Sequence, residues 1–439
     1  MDVPQPITTK MKKLAVSSGL IVLGACVAQA GSGYNLSEMQ SSKPWSVAAS
    51  LRGFYDDNYA TSPDDEQESF GFRVQPSASI NLPLERTLLT ASYIYTLNWF
   101  EAREKDNLDS FDQAHQFDLA VSHSFSERYM LQLRDSFVVA QEPELLEGGS
   151  PFRTQGDNIR NSAFAGFNIE MSRLWSVNLS YRNTYINYDD EDPLFVVAPQ
   201  PVIASRSGLL DRVDHYGSVD LRRVLTPTTV GFLGYGFGTV CYTGDEEIAF
   251  DPTVGFIMSD ARNNISHRGY VGVDHAFSPS LNGSMSGGVQ YTDYYNDPSD
   301  SGDSLSPYAQ ARIAYSYTAG GNAYFSFLHA RSATDVVAPD GNGGITMDQQ
   351  SSTISAGVSH PITPRIRGDA SGFTQFATFN GGAADGENET FYGAELNLSY
   401  SFNPHLSADA GYRFSGVCSD EPFRNYDRNI FYVGVTAIY

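Results

Sequence analysis

The chain has 439 residues, with 28 Lys and Arg against 51 Asp and Glu and a formal net charge of −23. Phosphate binding needs clustered Lys and Arg, so this balance excludes a nucleic-acid partner. With 39 Gly, 21 Pro, 26 Tyr and 27 Phe, and with Arg far outnumbering Lys, the composition does not describe a helical cytosolic enzyme.

Near the start, Lys12 and Lys13 precede an apolar stretch, Leu14–Val27, and the small-x-small exit Ala28-Gln29-Ala30. The stretch is shorter than the ~20 residues of a spanning helix, and the pattern reads as a secretory signal peptide. Residues 1–30 are therefore predicted to be the signal peptide, with Met11 an alternative start. Residues 31–43 follow as a short periplasmic segment, and 44–439 as the barrel. Leu23-Gly24-Ala25-Cys26 also fits a lipoprotein signal acylated at Cys26, so both routes of export stay open.

From residue 44 on, apolar and polar residues alternate with the period of strands that carry one face of each kind. Phe70, Phe72, Val74, Pro76, Ala78, Ile80 and Leu82 oppose Gly71, Arg73, Gln75, Ser77, Ser79 and Asn81. Val177, Leu179 and Tyr181 oppose Ser176, Asn178, Ser180 and Arg182, and the stretches 391–402 and 406–414 repeat the pattern. Eight tight turns, such as Ser126-Glu127-Arg128 and Thr226-Pro227-Thr228, alternate with nine longer polar loops: 56–68, 101–112, 142–157, 189–211, 243–262, 293–303, 335–348, 381–390 and 418–427. These connections predict an all-β fold, a transmembrane antiparallel up-and-down barrel of 18 strands, within a range of 16 to 20. A soluble sandwich also has alternating strands. The leader, the short-turn and long-loop asymmetry, and aromatics near strand ends favour the membrane barrel. Trp45, Phe125, Trp175, Phe277 and Phe402 lie by the turns; Trp99, Tyr188, Tyr242, Tyr294, Tyr295 and Phe379 lie by the loops. Two aromatic girdles are expected there. At the end of the chain Phe431, Val433, Val435, Ala437 and Tyr439 alternate on one face. A terminal aromatic on an alternating last strand resembles the assembly signal of bacterial outer-membrane proteins, with Phe431, Val433, Val435 and Tyr439 as its residues.

Ala49-Ser50-Leu51-Arg52-Gly53-Phe54-Tyr55-Asp56-Asp57-Asn58, the acidic Asp64-Asp65-Glu66 and the following Arg73-Val74-Gln75-Pro76 resemble the outer-membrane β-barrel porins of the beta-barrel porin 2 type, including exopolysaccharide-associated members. The repeated hairpins extend the resemblance over about 45–439. It implies an outer-membrane barrel with porin-like or export roles, and it carries no catalytic or ligand residues.

The nine loops hold 38 acidic and six basic residues, a net −32. Asp64, Asp65, Glu66, Asp189, Asp190, Glu191, Asp192, Asp245, Glu246 and Glu247 would form an acidic vestibule. On the polar strand faces sit Arg52, Arg73, Arg182, Arg222, Arg268, Arg312, Arg365, Arg367 and Arg413, with Asp118, Glu170, Asp220, Asp274, Asp369, Glu395 and Asp409. Arg in lipid costs ~2–4 kcal/mol near the midplane, so this face is predicted to line the lumen. Near-neutrality favours cross-strand ladders that stiffen the wall over a selective constriction. An 18-stranded barrel leaves a water channel unless plugged. The candidate constriction is the apolar run holding Leu194, Phe195, Val196, Val197, Pro199, Pro201 and Ile203, expected to fold into the lumen or pack on a neighbouring subunit. A hairpin over the rim is the alternative.

Eight scattered His form no HExxH, CxxC or phosphate-loop pattern. Of these only His115 and His329 read as lying near the outer rim. The chain is read as a non-enzyme with no cofactor and no metal site. Cys241 and Cys418 are predicted on strands 9 and 17, opposite each other, as separate thiols. The predicted activity is passive diffusion of small hydrophilic solutes with a cation preference; the alternatives are an exopolysaccharide export conduit and a non-conducting surface barrel. Predicted partners are outer-membrane lipid and lipopolysaccharide, the β-barrel assembly machinery, small hydrophilic solutes and a second copy of the chain, in the bacterial outer membrane with loops extracellular and termini periplasmic.

Overall fold

A computed structural model of the chain describes residues 44–105, 109–140, 157–189, 193–196, 203–298, 302–422 and 424–439. Eighteen antiparallel strands follow in chain order: β1 Trp45–Asp56, β2 Ser69–Pro83, β3 Thr87–Phe100, β4 Phe111–Ser124, β5 Tyr129–Ala140, β6 Asn158–Glu170, β7 Trp175–Tyr188, β8 Arg212–Thr226 and β9 Thr229–Tyr242. Then come β10 Asn264–Ser278, β11 Leu281–Asp293, β12 Ser304–Thr318, β13 Gly321–Ser332, β14 Asp348–Thr363, β15 Ile366–Asn380, β16 Asn388–Asn403, β17 Leu406–Ser419 and β18 Tyr426–Ile438. Each strand pairs with its chain neighbours, and β18 pairs back onto β1, so the sheet closes and no edge remains. Tyr439 completes the seam: its N–H donates to Val47 O at 2.9 Å, and its ring lies 5.8 Å from that of Trp45.

The strand count and the two kinds of connector are those expected from the sequence. All eight tight turns fall on one rim, and the loops on the other. Eighteen strands at ~4.8 Å spacing and ~40° tilt enclose a barrel about 35 Å across, measured between backbones.

Alternation decides which face turns inward. In β18 Phe431, Val433 and Val435 are exposed, while Tyr432 and Thr436 between them are buried. In β2 Phe70, Phe72, Val74, Ile80 and Leu82 are exposed, and Arg73, Gln75 and Ser77 face the interior. The outer surface is thus an apolar belt, and the interior is polar. Trp45, Phe125, Trp175, Phe277 and Phe402 ring the turn rim, all exposed. The loop rim differs from the expected girdle. Trp99 and Tyr295 remain near the surface, but Tyr188, Tyr242, Tyr294 and Phe379 are buried beneath the loops. Tyr188, Tyr242, Tyr294 and Phe379 fall on the inward parity of their strands, which places them under the loops, whereas Trp99 and Tyr295 fall on the outward one.

The histidines also differ from expectation, because four rather than two approach the loop rim. His115, His215 and His267 face outward there, each with Nδ1 2.7–2.8 Å from a tyrosine hydroxyl: Tyr93, Tyr181 and Tyr235. His329 sits at a similar level against Ser352. On β4 and β10 a second outward histidine follows near the turn rim, His123 after His115 and His275 after His267. Eight tilted residues span ~20 Å along the barrel axis, close to the ~25 Å apolar band of such barrels. Cys241 on β9 and Cys418 on β17 are free thiols.

Candidate functional site: the lumen wall and the outer mouth

The wall comes first, because its charges lie flat. Arg52 of β1 is in register with Gly434 of β18, and Gly434 with Asp409 of β17. The guanidinium crosses over the glycine and pairs with Asp409 at 2.9 Å. A Cβ at Gly434 would fall 2.4 Å from Arg52 Cγ. The same device recurs at Gly234, over which Tyr270 Oη donates to Asp220 at 2.6 Å, and at Gly411, over which Tyr432 Oη reaches Asn397 at 3.3 Å. Inward glycines thus let long polar side chains bond across a strand along the wall instead of projecting into the lumen.

Other wall groups are similarly tied. Arg222 pairs with Asp274, which also accepts from Ser284 at 2.6 Å. Arg367 donates to Ser359 at 2.7 Å and pairs with Asp369, and Arg413 pairs with Glu395 at 3.5 Å. Arg73 donates to Asn98, and Asp118 accepts from Ser136, both at 2.7 Å. Arg268 donates to Gln290 and stacks between Tyr308 and Tyr216. Arg182 and Arg312 sit on the inward faces of β7 and β12, and Glu170 ends β6. Arg365 does not line the wall: it is exposed in the turn between β14 and β15. Proline at 364 and the two-residue turn displace it from the alternation that predicted it inside.

The mouth is built differently. Helix α1, Glu101–Lys105, opens the loop after β3, and α2, Arg206–Leu210, ends the loop after β7. The two ends of the apolar run 194–204 meet each other. Pro193–Val196 and Ile203–Ser205 pair as a local hairpin, with Phe195 opposite Ala204 and Val196 opposite Ile203. Leu194 lies in its first strand; Val197, Pro199 and Pro201 lie outside the described residues. A second hairpin, Glu247–Asp251 with Gly255–Met258, rises from the loop after β9. Ala204, Leu209, Ile248, Ala249, Ile257, Ala261, Tyr294, Ile345 and Met347 bury one another in a core made by four loops. Each fully buried Ile or Leu contributes about 2 kcal/mol, so these loops have their own reason to hold a shape.

The crossing segment is 333–347, between β13 and β14. Arg262, after β9 and fully buried, donates to Thr334 O at 2.8 Å and to Leu209 O, and lies over the Tyr242 ring at 4.6 Å. The next residue, Asp335, reaches the other side: Arg424, between β17 and β18, donates to it at 3.0 and 3.2 Å, and to Glu389 at 2.6 Å. The loops after β9 and β17 are eight strands apart in a ring of 18, hence opposite. Adjacent residues that touch both must lie across the mouth. Burial presses the Arg262 guanidinium below its ordinary range.

Two turns pin this bridge. Burial works against the Asp251 carboxylate, but the N–H groups of Thr253, Gly343, Val254 and Gly341 hold it below the usual carboxylate range. Gly341 and Gly343 have positive φ, which their turn requires. Val336, Phe379 and Ala384 form a second small core on the far side. Sequence reasoning missed Asp335, Arg262, Arg424 and Asp251 as mouth residues. Asp340-Gly341-Asn342-Gly343-Gly344 was the signal available for a built turn.

Of the acidic residues, Asp64, Asp65, Glu66, Asp189, Asp245 and Glu247 are exposed at the loop rim. Glu246 is engaged instead: it accepts from Ser207 at 2.6 Å and from Ser205, clasping α2 to the loop after β9. Asp190, Glu191 and Asp192 lie outside the described residues. Burial pushes the Asp211 carboxyl up to about 6, against the Tyr188 N–H and the Asn187 amide that bind it. Among the described residues no group of three or more His, Cys, Asp or Glu is placed to hold a metal ion, and no helix is long and apolar enough to cross a membrane.

A closed antiparallel barrel with an apolar belt, a polar lumen and loops gathered on one rim has the architecture of an outer-membrane β-barrel. Residues 249–439 match the family described as "Putative beta-barrel porin 2". Among solved structures, the chain is similar to OccAB4 of Acinetobacter baumannii (11% identity, 90% of this chain and 99% of that one, TM-score 0.40). It is also similar to OccK9 (OpdG) of Pseudomonas aeruginosa (11%, 90% and 98%, 0.42) and to the outer membrane protein opdK of the same organism (9%, 90% and 99%, 0.41). The curated proteins contain no match.

Proposed function

We propose that the protein is a passive channel for small hydrophilic solutes that favours cations, with the loop rim outside the cell and both termini periplasmic. The carrying observation is the contrast in charge. The wall carboxylates Asp409, Asp274 and Glu395 are paired with arginines, whereas Asp64, Asp65, Glu66, Asp189, Asp245 and Glu247 stand exposed at the loop rim. Unpaired charge at a low-dielectric entrance focuses counter-ions, so cations concentrate there before they enter. The bridge 333–347 narrows the entrance and sets an upper size for the solute. Inward tyrosines do not favour a sugar-polymer track: Tyr216 and Tyr308 flank Arg268, and Tyr270 is tied to Asp220.

The test is a reversal potential across a planar bilayer holding the purified protein. Cation preference is expected, weakening as salt rises past the point where the Debye length falls below ~10 Å. Replacing the six exposed carboxylates by their amides should move the potential toward zero. Anion selectivity of the unaltered protein would refute the charge argument.

A further inference from the structure

The outward belt between the two histidine levels is mainly apolar, and among the described residues it holds one carboxylate. Asp135 of β5 points outward between Leu133 and Phe137, both exposed. It is in register with Leu119 of β4, which lies midway between His115 and His123. Asp135 is thus at mid-height on the lipid side. Among the described residues it is the only carboxylate on that face away from the strand ends. One hydrogen bond is recorded for its carboxylate, from Asn161 Nδ2 on β6 at 3.1 Å. Hydrocarbon offers nothing to its other lone pairs, and an ionisable group at this depth calls for a polar partner.

We infer that the outward face of β4–β6 is a self-association surface centred on Asp135, and that its occupant is a second copy of this chain. Three observations favour a copy over lipid or an unrelated span. The pair is self-complementary: in a two-fold contact Asp135 of each chain accepts from Asn161 of the other, and both remaining needs are met. The adjoining outward residues of β6 are small, Ala163 beside Asp135 and then Ala165, so two walls can approach closely. Finally, the departure is local: the opposite face, on β14, presents Ile354, Ala356 and Val358 with no carboxylate.

The test uses the full chain in membranes, with Cys241 and Cys418 replaced by Ser and Ala163→Cys introduced next to Asp135. Copper–phenanthroline oxidises two facing thiols to a disulfide, with dioxygen as the electron acceptor. A covalent dimer is expected for Ala163→Cys and none for Ala356→Cys on the far side. Adding Asp135→Leu should cut the dimer yield by about tenfold, while Asp135→Asn, which keeps an acceptor, should retain it. Heat-modified gel mobility reports the folded barrel, and Asn161→Leu repeats the experiment from the donor side should Asp135→Leu not fold. No dimer through position 163, or an undiminished dimer in Asp135→Leu and Asn161→Leu, would overturn the inference. Neither result depends on whether the channel prefers cations.

Discussion

The wall and the mouth solve the same electrostatic problem in opposite ways. Wall charges bond within two strands, over a glycine or a short polar neighbour, and every such pair is local in the sheet. Mouth charges bond across the ring, as Arg424 does to Asp335 and Glu389, and their loops bury an apolar core of their own. The difference teaches where plasticity lies. The strands that carry a wall pair cannot part without breaking the hydrogen-bonded ladder, whereas the mouth is held by side chains and two small cores that can separate while the barrel stays closed.

The largest effect should come from removing the bridge. Deleting 336–346 and rejoining the ends with a short Gly-Ser link should raise single-channel conductance on the order of threefold, since conductance follows the open cross-section. An unchanged conductance would mean that the bridge stands clear of the ion path. Next, Arg424→Ala leaves the buried Glu389 and the partly buried Asp335 without their cation, a loss of about 3–5 kcal/mol. That loss should stay in the mouth: amide exchange should quicken over 333–347 and not in the strands. If the strands loosen as well, the two regions are not separable.

A wall substitution should do the reverse. Gly434→Ala forces Arg52 off its path to Asp409 and should cost about 1–3 kcal/mol through overpacking. It should lower the unfolding midpoint of the whole barrel and leave exchange in 333–347 as it was. The smallest effect concerns Asp211, whose carboxyl burial raises from 3.8 to about 6. A raised carboxyl contributes most below its unfolded value, so this contribution is complete below about pH 4 and is lost as pH rises through 6. The protection factors of the α2 and Tyr188 amides, corrected for intrinsic exchange, should therefore fall from pH 4 to 7, and Asp211→Asn should flatten that trend.

Much of this was legible beforehand. Period-2 alternation is a local property of each strand, and turn chemistry is a property of two to four residues. Eighteen strands, their rims and the inward face of Arg52, Arg73 or Asp409 therefore follow from short windows of sequence. Arg365 shows the limit of the method: two residues of turn were enough to move it off the wall.

The mouth was not legible in the same way. The ends of the apolar run at 194–204 pair with each other, and the segment that crosses is the Gly-rich 333–347. Nothing in that segment's own composition says that Thr334 meets Arg262 or that Asp335 meets Arg424, because those partners lie 72 and 89 residues away. Asp135 is similar. Its alternation gave its face, but only closure of the barrel and the register with Leu119 put it at mid-height facing lipid. The sequence by itself determined the barrel, since each strand carries its own instructions. The tertiary structure alone decided the mouth, since its contacts depend on which loops the closed ring brings face to face.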